Sequence, residues 1–296
     1  MKKKGNDAKN KSLEAEVQAL SENFRKLEVE NGETEKGANE VKESETEKDA
    51  NVVKYWTQAD KYNTPLNEEE HTAVQKAFSS ANDEVLVTDK HLNVEITVKD
   101  LRCLKPRRWL GDEVINVYFQ LLKERERRDP KFLKCHFFST FFYNKLINGG
   151  YNSVRIWTSK RNLGYSLLDC DQIFIPIHKE DHWCLAVINK VEQKFQYLDS
   201  LKGEDNKVME VLQAKYYVDE LKDKSGEVTD VSFWKHEFVK DLPEQKNLDF
   251  NKFDCGVFMI KYADHYSRGS ELCFNQDDIP YFRLKTAKEI LQLRAE

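Results

Sequence analysis

Apolar residues recur along this 296-residue chain with two periods, and the switches between them mark its elements. The stretch Thr64-Pro65-Leu66-Asn67-Glu68-Glu69-Glu70 places acids where a helix N-terminus favours them, with Leu66, Val74 and Phe78 as the inward face. The period then drops to two. Val85, Val87, Val94, Ile96 and Val98 predict two short strands joined by a turn at Asp89-Lys90-His91. Helical spacing returns with Val114, Ile115, Tyr118, Leu121 and Leu122, which predict a helix over 112–127. Its tail, Lys123 to Arg128, reads as a charged, solvated end, and Pro130 as a stop. A second helix is expected from Ser139 to Ile147, ended by Gly149-Gly150. Three strands follow, at Gln172–His178, His182–Ile188 and Phe195–Leu201, the last two joined by a turn over Asn189–Lys194. Helices close the chain at Asn206–Leu221 and Tyr281–Leu293. Hairpin-linked strands among helices predict an α+β domain.

The first part of the chain has a different pattern. Leu13, Val17, Leu20, Phe24 and Leu27 follow an a/d heptad spacing over residues 12–29, which fits a short coiled coil or a weak amphipathic helix. As a coiled coil it would serve a partner or self-association. Residues 28–54 hold nine acidic and four basic side chains and almost no large apolar ones. Such a segment cannot bury enough surface to offset its ordering entropy, so it reads as a disordered linker. Residues 1–61 are therefore an N-terminal extension and residues 62–296 the folded domain.

Composition narrows the function classes. Hydrophobic residues make up 40% of the chain, with 17 Phe, 12 Tyr and 5 Trp, enough for a sizeable core. A net charge of -5 argues against a general nucleic-acid binder. No apolar run is long enough for a membrane span, and no apolar segment follows Met1-Lys2-Lys3-Lys4 to make a secretory signal. The six cysteines show no CxxC spacing, which disfavours a zinc site or disulfide framework and favours a reducing, intracellular compartment.

One cysteine stands apart. In Phe253-Asp254-Cys255-Gly256-Val257-Phe258-Met259-Ile260 it lies between an acid and a glycine, and an apolar run follows. Val257, Ile260 and Ala263 place a buried helix from Cys255 onward, with the sulfur at the positive end of the dipole, where a thiolate is favoured. The alternative is a small core hydrophobe. A nucleophile needs a base. With the 189–194 turn centred near Val191, His182 and Asp199 come within a residue of direct opposition on neighbouring strands. An Asp beside a His fixes the imidazole tautomer and steadies the imidazolium. His178 is a competing base on another strand, without a matched acid.

These residues resemble a known family. His182-Trp183, Tyr197-Leu198-Asp199-Ser200 and Asp254-Cys255-Gly256 resemble the signatures of the Ulp-type SUMO-specific cysteine proteases, the sentrin-specific protease family. Trp109-Leu110-Gly111-Asp112-Glu113-Val114-Ile115-Asn116 looks like its helix-leading motif. Lys134 to Phe138, Phe141-Phe142-Tyr143, and Ile279 to Leu293 look like the plant early-in-short-days branch. The resemblance runs from about residue 65 to the end. It implies a papain-like, adenovirus-protease-like fold with a central mixed sheet flanked by helices. It further implies Cys255 as nucleophile, His182 as general base and acid, Asp199 as its orienter and Gln245 as oxyanion-hole donor. Trp109 and Trp183 would roof a channel that only a Gly-Gly tail can pass. Asp112 and Phe141 would touch the SUMO body, or would be a helix N-terminal acid and a core aromatic. The implied partners are SUMO and SUMO-conjugated proteins, the implied compartment is the nucleus, and no metal or cofactor is called for.

The sequence departs from the family pattern at one point. The family places the Gln six residues before the Cys, whereas Gln245 lies ten before Cys255. Either Leu248–Asn251 bulge out and Gln245 keeps its role, or Asp249 sits where the Gln belongs and repels the oxyanion. The first alignment matches Pro243, Gln245 and Asn247 as a set. The expected activity is maturation of SUMO precursors and cleavage of SUMO–lysine bonds. Its rivals are a catalytically impaired SUMO-binding module, a protease for a Nedd/Rub-type modifier, and an acyltransferase with the same His-acid-Cys order.

Overall fold

The computed structural model describes residues 65–296 except 82, 130, 227–229 and 247–251. The heptad and acidic segments, Asn247 and Asp249 lie outside the described residues. The chain divides into two units, Met1–Glu69 and Glu70–Glu296.

Helix α1, Glu68–Ser79, buries Val74 and Phe78 as its spacing requires. Strands β1 (Val85–Asp89) and β2 (Val94–Thr97) form an antiparallel pair. The Asp89 carboxylate closes their turn by accepting from the His91 and Leu92 N–H groups. Helix α2, Asp112–Arg128, buries all five residues of the predicted apolar face. Its tail is not uniformly solvated, because Arg125 turns inward and is buried.

The main sheet has five strands in the order β3-β4-β5-β6-β7. They are β3 (Cys135–Phe137), β4 (Gln172–Lys179), β5 (His182–Asn189), β6 (Lys194–Leu198) and β7 (Lys235–Phe238). The three middle strands run antiparallel, and β3 and β7 add parallel edges, so the sheet is mixed as expected. The two edge strands were not anticipated. At three and four residues they are too short to show a period of their own. Strand β6 stops at Leu198, before the predicted end, and Asp199 onward forms a turn.

Helix α3, Phe142–Gly149, begins three residues later than expected. Helices α4 (Asn206–Leu212) and α5 (Val218–Ser225) are joined through a π-helical turn at Gln213–Tyr217, where one helix over Asn206–Leu221 was predicted. With α3 they cover the sheet face that carries Ile173, Ile175, Ile177, Cys184, Ala186 and Ile188. Helix α6, Cys255–Ser267, lies against the middle strand β5, and α2 and α7 (Ile279–Leu291) pack on α6 in turn. Nearly every residue of α6 is buried, which is why the stretch Val257 to Ile260 is apolar without a polar stripe, while Lys261 and Asp264 farther along are buried as an ion pair.

Candidate active site

The site lies where β5 begins and β6 ends. His182 is the first residue of β5, and Asp199 follows the last residue of β6. His182 Nε2 stands 2.6 Å from Asp199 Oδ1. That leaves Nδ1 as the ring nitrogen for a second partner. The carboxylate is held from the turn as well: the Leu201 N–H donates to Oδ1 at 2.8 Å and the Gly203 N–H to Oδ2 at 3.1 Å. A Cβ on Gly203 would fall 2.4 Å from Oδ2, so this close approach of backbone to carboxylate requires glycine.

The ladder corrects the expected register. Leu185 pairs with Leu198 and Ala186 with Tyr197, which centres the turn between Val191 and Glu192. One further step places Cys184, not His182, across from Asp199, and His182 reaches the acid diagonally. Cys184 is the residue that sequence reasoning missed. It is buried, and its sulfur lies within 4.8 Å of a ring nitrogen of His182 and a carboxylate oxygen of Asp199. The signal was available in the period of two, which sets residue 184 on the same side of β5 as 182. Among the described residues, His182, Cys184 and Asp199 are also the one group of three whose ligand-type atoms lie within 4.8 Å of one another, and the His182–Asp199 hydrogen bond already engages two of them.

Burial disfavours a charged imidazole, but the hydrogen bonds to Asp199, Cys184 and Cys255 outweigh it and push the His182 pKa up to about 12. Burial also works against the Asp199 carboxylate. Its bonds to His182 and to the Leu201 N–H prevail and hold it below the ordinary carboxylate value. Burial pushes the Cys184 thiol up, away from the thiolate form.

Cys255 opens α6, as the apolar run implied. The preceding Asp254 occupies the N-cap position without capping the helix, because its carboxylate is engaged elsewhere. Arg283 of α7 donates to Oδ1 through Nε at 3.2 Å and Nη2 at 2.6 Å, and Gln276 Nε2 donates to Oδ2 at 2.8 Å. Arg283 also donates to the carbonyls of Cys103, Lys105 and Phe253, fixing the whole approach to Cys255. A Cβ on Gly256 would fall 2.9 Å from Leu110 Cβ and 3.2 Å from Trp183 Cδ1, so glycine there admits Trp183 against the helix start. The indole of Trp183 is buried and donates to the Leu110 carbonyl.

The two tryptophans differ. Trp183 is buried, while Trp109 is 46% exposed and meets Phe253 edge-on at 4.6 Å. His178 pairs with Trp183 in the ladder and stacks on it at 4.1 Å, so it belongs to the opposite side of the sheet from the His182–Cys184 row. Phe141 is 55% exposed, which removes the core-aromatic alternative for it. Asp112 takes the first turn of α2, where a carboxylate suits the helix dipole. Gln245 is buried against the turn beyond Asp199: its N–H donates to the Ser200 carbonyl at 2.9 Å, and Ser200 Oγ donates to its Oε1 at 3.1 Å. This directs the amide nitrogen away from Ser200. Tyr262 of α6 donates to the Pro243 carbonyl two residues upstream.

A cysteine heading a buried helix, set against a His–Asp pair at the end of an antiparallel hairpin, is the arrangement of the papain-like cysteine peptidases. The sequence profile of the Ulp1 protease family C-terminal catalytic domain matches residues 108–295, and the chain belongs to that family. It is 61% identical over 237 residues to ubiquitin-like-specific protease 1A of Arabidopsis thaliana, covering 78% of this chain and 46% of that one. It is 38% identical over 225 residues to human sentrin-specific protease 2, covering 74% of this chain and 36% of that one. The chain thus spans about half or less of the length of these relatives. Among solved structures, the C-terminal Ulp1 protease domain in complex with Smt3, the yeast ortholog of SUMO, is similar with a TM-score of 0.66 and 29% identity, covering 77% of this chain and 96% of that one.

Proposed function

We propose that this chain is a SUMO-specific thiol protease that matures SUMO precursors and cleaves SUMO–lysine isopeptide bonds, with residues 62–296 as its catalytic unit and the nucleus as its compartment. The observation that carries the reading is Cys255 at the head of α6 together with the His182–Asp199 pair, 2.6 Å apart, at the end of the β5–β6 hairpin. Cys255 Sγ, as thiolate, attacks the carbonyl of the last glycine in the Gly-Gly tail. The oxyanion that forms meets the Gln245 amide and the first N–H groups of α6, which a helix leaves without intrahelical acceptors. His182 gives its proton to the departing amine, and a thioester remains on Cys255. His182, now neutral, takes a proton from the attacking water, the thioester carbonyl is released as a carboxylic acid, and the thiolate–imidazolium pair is restored. Trp109 and Trp183 flank the tail on either side of Leu110, and Asp112 and exposed Phe141 meet the body of the modifier.

The test is reaction of the full chain with SUMO, ubiquitin and Nedd-type probes that carry a thiol-reactive C-terminal group, beside turnover of an uncleaved SUMO precursor. A covalent SUMO adduct and precursor cleavage, both lost in Cys255→Ser, are expected. Preference for the Nedd-type probe would move the substrate class. Binding of SUMO without adduct or cleavage would leave a binding module in place of the enzyme.

A further inference from the structure

Two short arms must be set against each other for the proposed chemistry, one carrying Gln245 and the other Cys255. Each has its own anchor. The Gln245 arm is tied to Ser200 and, through Pro243, to Tyr262. The Cys255 arm is tied through Asp254 to Arg283. In sequence, nine residues lie between Gln245 and Cys255.

We propose that Gln276 is the positioning residue that sets Gln245 in register with Cys255; this rests on the function proposed above. Gln276 opens the short 3-10 turn Gln276–Asp278 ahead of α7, and it is buried. Its Oε1 accepts from the Lys246 N–H at 3.0 Å, directly after Gln245. Its Nε2 donates to Asp254 Oδ2 at 2.8 Å, directly before Cys255. One planar amide thus spans the gap, with an acceptor toward one arm and a donor toward the other, and a primary amide is the side-chain group that offers both at once in fixed geometry. The turn that presents it is itself fixed. Asn275 and Asp278 form a capping box around it. The link closes a circuit from Asp199 through Ser200, Gln245, Lys246 and Gln276 to Asp254 and Cys255, so the acid and nucleophile ends of the site are joined by hydrogen bonds that bypass residues 247–251.

The experiment is a double-mutant cycle on the full chain, read by turnover of a SUMO precursor. Gln276→Met keeps the length and removes both hydrogen-bonding ends. It is expected to lower kcat roughly 10- to 100-fold with KM within about twofold of wild type, the scale of a displaced catalytic group. In a Gln245→Ala background the same change is expected to cost less than about threefold, because the group it positions is already gone. Alkylation of Cys255 by iodoacetamide, which forms no oxyanion, should stay within about twofold of wild type. Should Gln276→Met fail to fold, Gln276→Glu keeps the acceptor for Lys246, removes the donor to Asp254, and takes its place in the same cycle. Effects that multiply undiminished in the Gln245→Ala background, alkylation that falls in parallel, or variants that match wild type would each overturn the proposal. A wild-type chain that fails to cleave the precursor overturns the underlying function instead, and is told apart because it fails before any substitution is made.

Discussion

At the scale of single residues, the Asp199 carboxylate organises the site. It accepts from His182, Leu201 and Gly203 and lies against the Cys184 thiol, so both its oxygens are engaged. The His182 pKa is raised, so the stability this charged ring contributes is fully present below the unfolded value near 6.5 and is lost as pH rises toward about 12. Asp199 is lowered, so its contribution is present above the ordinary carboxylate value and is lost as pH falls through the depressed one. Replacing Asp199 with Asn removes the main support of the imidazolium and leaves burial to act against it. The expected result is that the alkaline limb of the pH–rate profile for Cys255 alkylation moves to lower pH, with precursor turnover falling at neutral pH. A limb that stays in place would show that the His182 charge is set elsewhere.

At the scale of elements, the start of α6 is fixed by α7. Arg283 and Asp254 form a buried ion pair, and the same guanidinium holds three carbonyls. Such a pair is weak evidence for net stability, but breaking it strands a buried charge. Arg283→Met is therefore expected to destabilise the fold by about 3–5 kcal/mol, measured by urea unfolding. Adding Asp254→Asn should recover part of the loss by removing the stranded carboxylate. Equal stability of the single and double variants would mean that the carbonyl contacts, not the ion pair, carry the effect.

Across the whole molecule, a buried ionic cluster ties α2 to α6. Arg125 of α2 and Arg268 both reach the Asp264 carboxylate, and Lys261 lies 3.4 Å from it. Burial alone would raise the Asp264 pKa. The surrounding cations prevail and hold it well below the usual carboxylate range. By the sign of that shift, Asp264 stabilises the fold above the unfolded carboxylate value, and the contribution is lost on further acidification. In Asp264→Asn, thermal stability is expected to fall at pH 7 and to decline less steeply than wild type below about pH 4, the ordinary Asp range. Parallel melting curves across that range would show that other carboxylates govern acid unfolding.

Much of this was legible in the one-dimensional pattern. Periods of two and 3.6 gave the hairpin, α2, the three middle strands and α6, because burial on one face or on all faces leaves a direct trace in the sequence. The apolar run after Cys255 placed that residue at a helix start, and the hairpin brought His182 close to Asp199. Tertiary structure decided the rest. Register depends on turn geometry to within one residue, so the chain alone did not reveal that Cys184 faces Asp199. The inward course of Arg125 depends on Asp264, more than a hundred residues away, and nothing in a charged helix tail distinguishes a buried arginine from a solvated one. The roles of Arg283 and Gln276 rest on partners brought in from α6 and the Gln245 arm. Hydrogen-bond partners between distant segments leave no period in the sequence, and only folding brings donor and acceptor together.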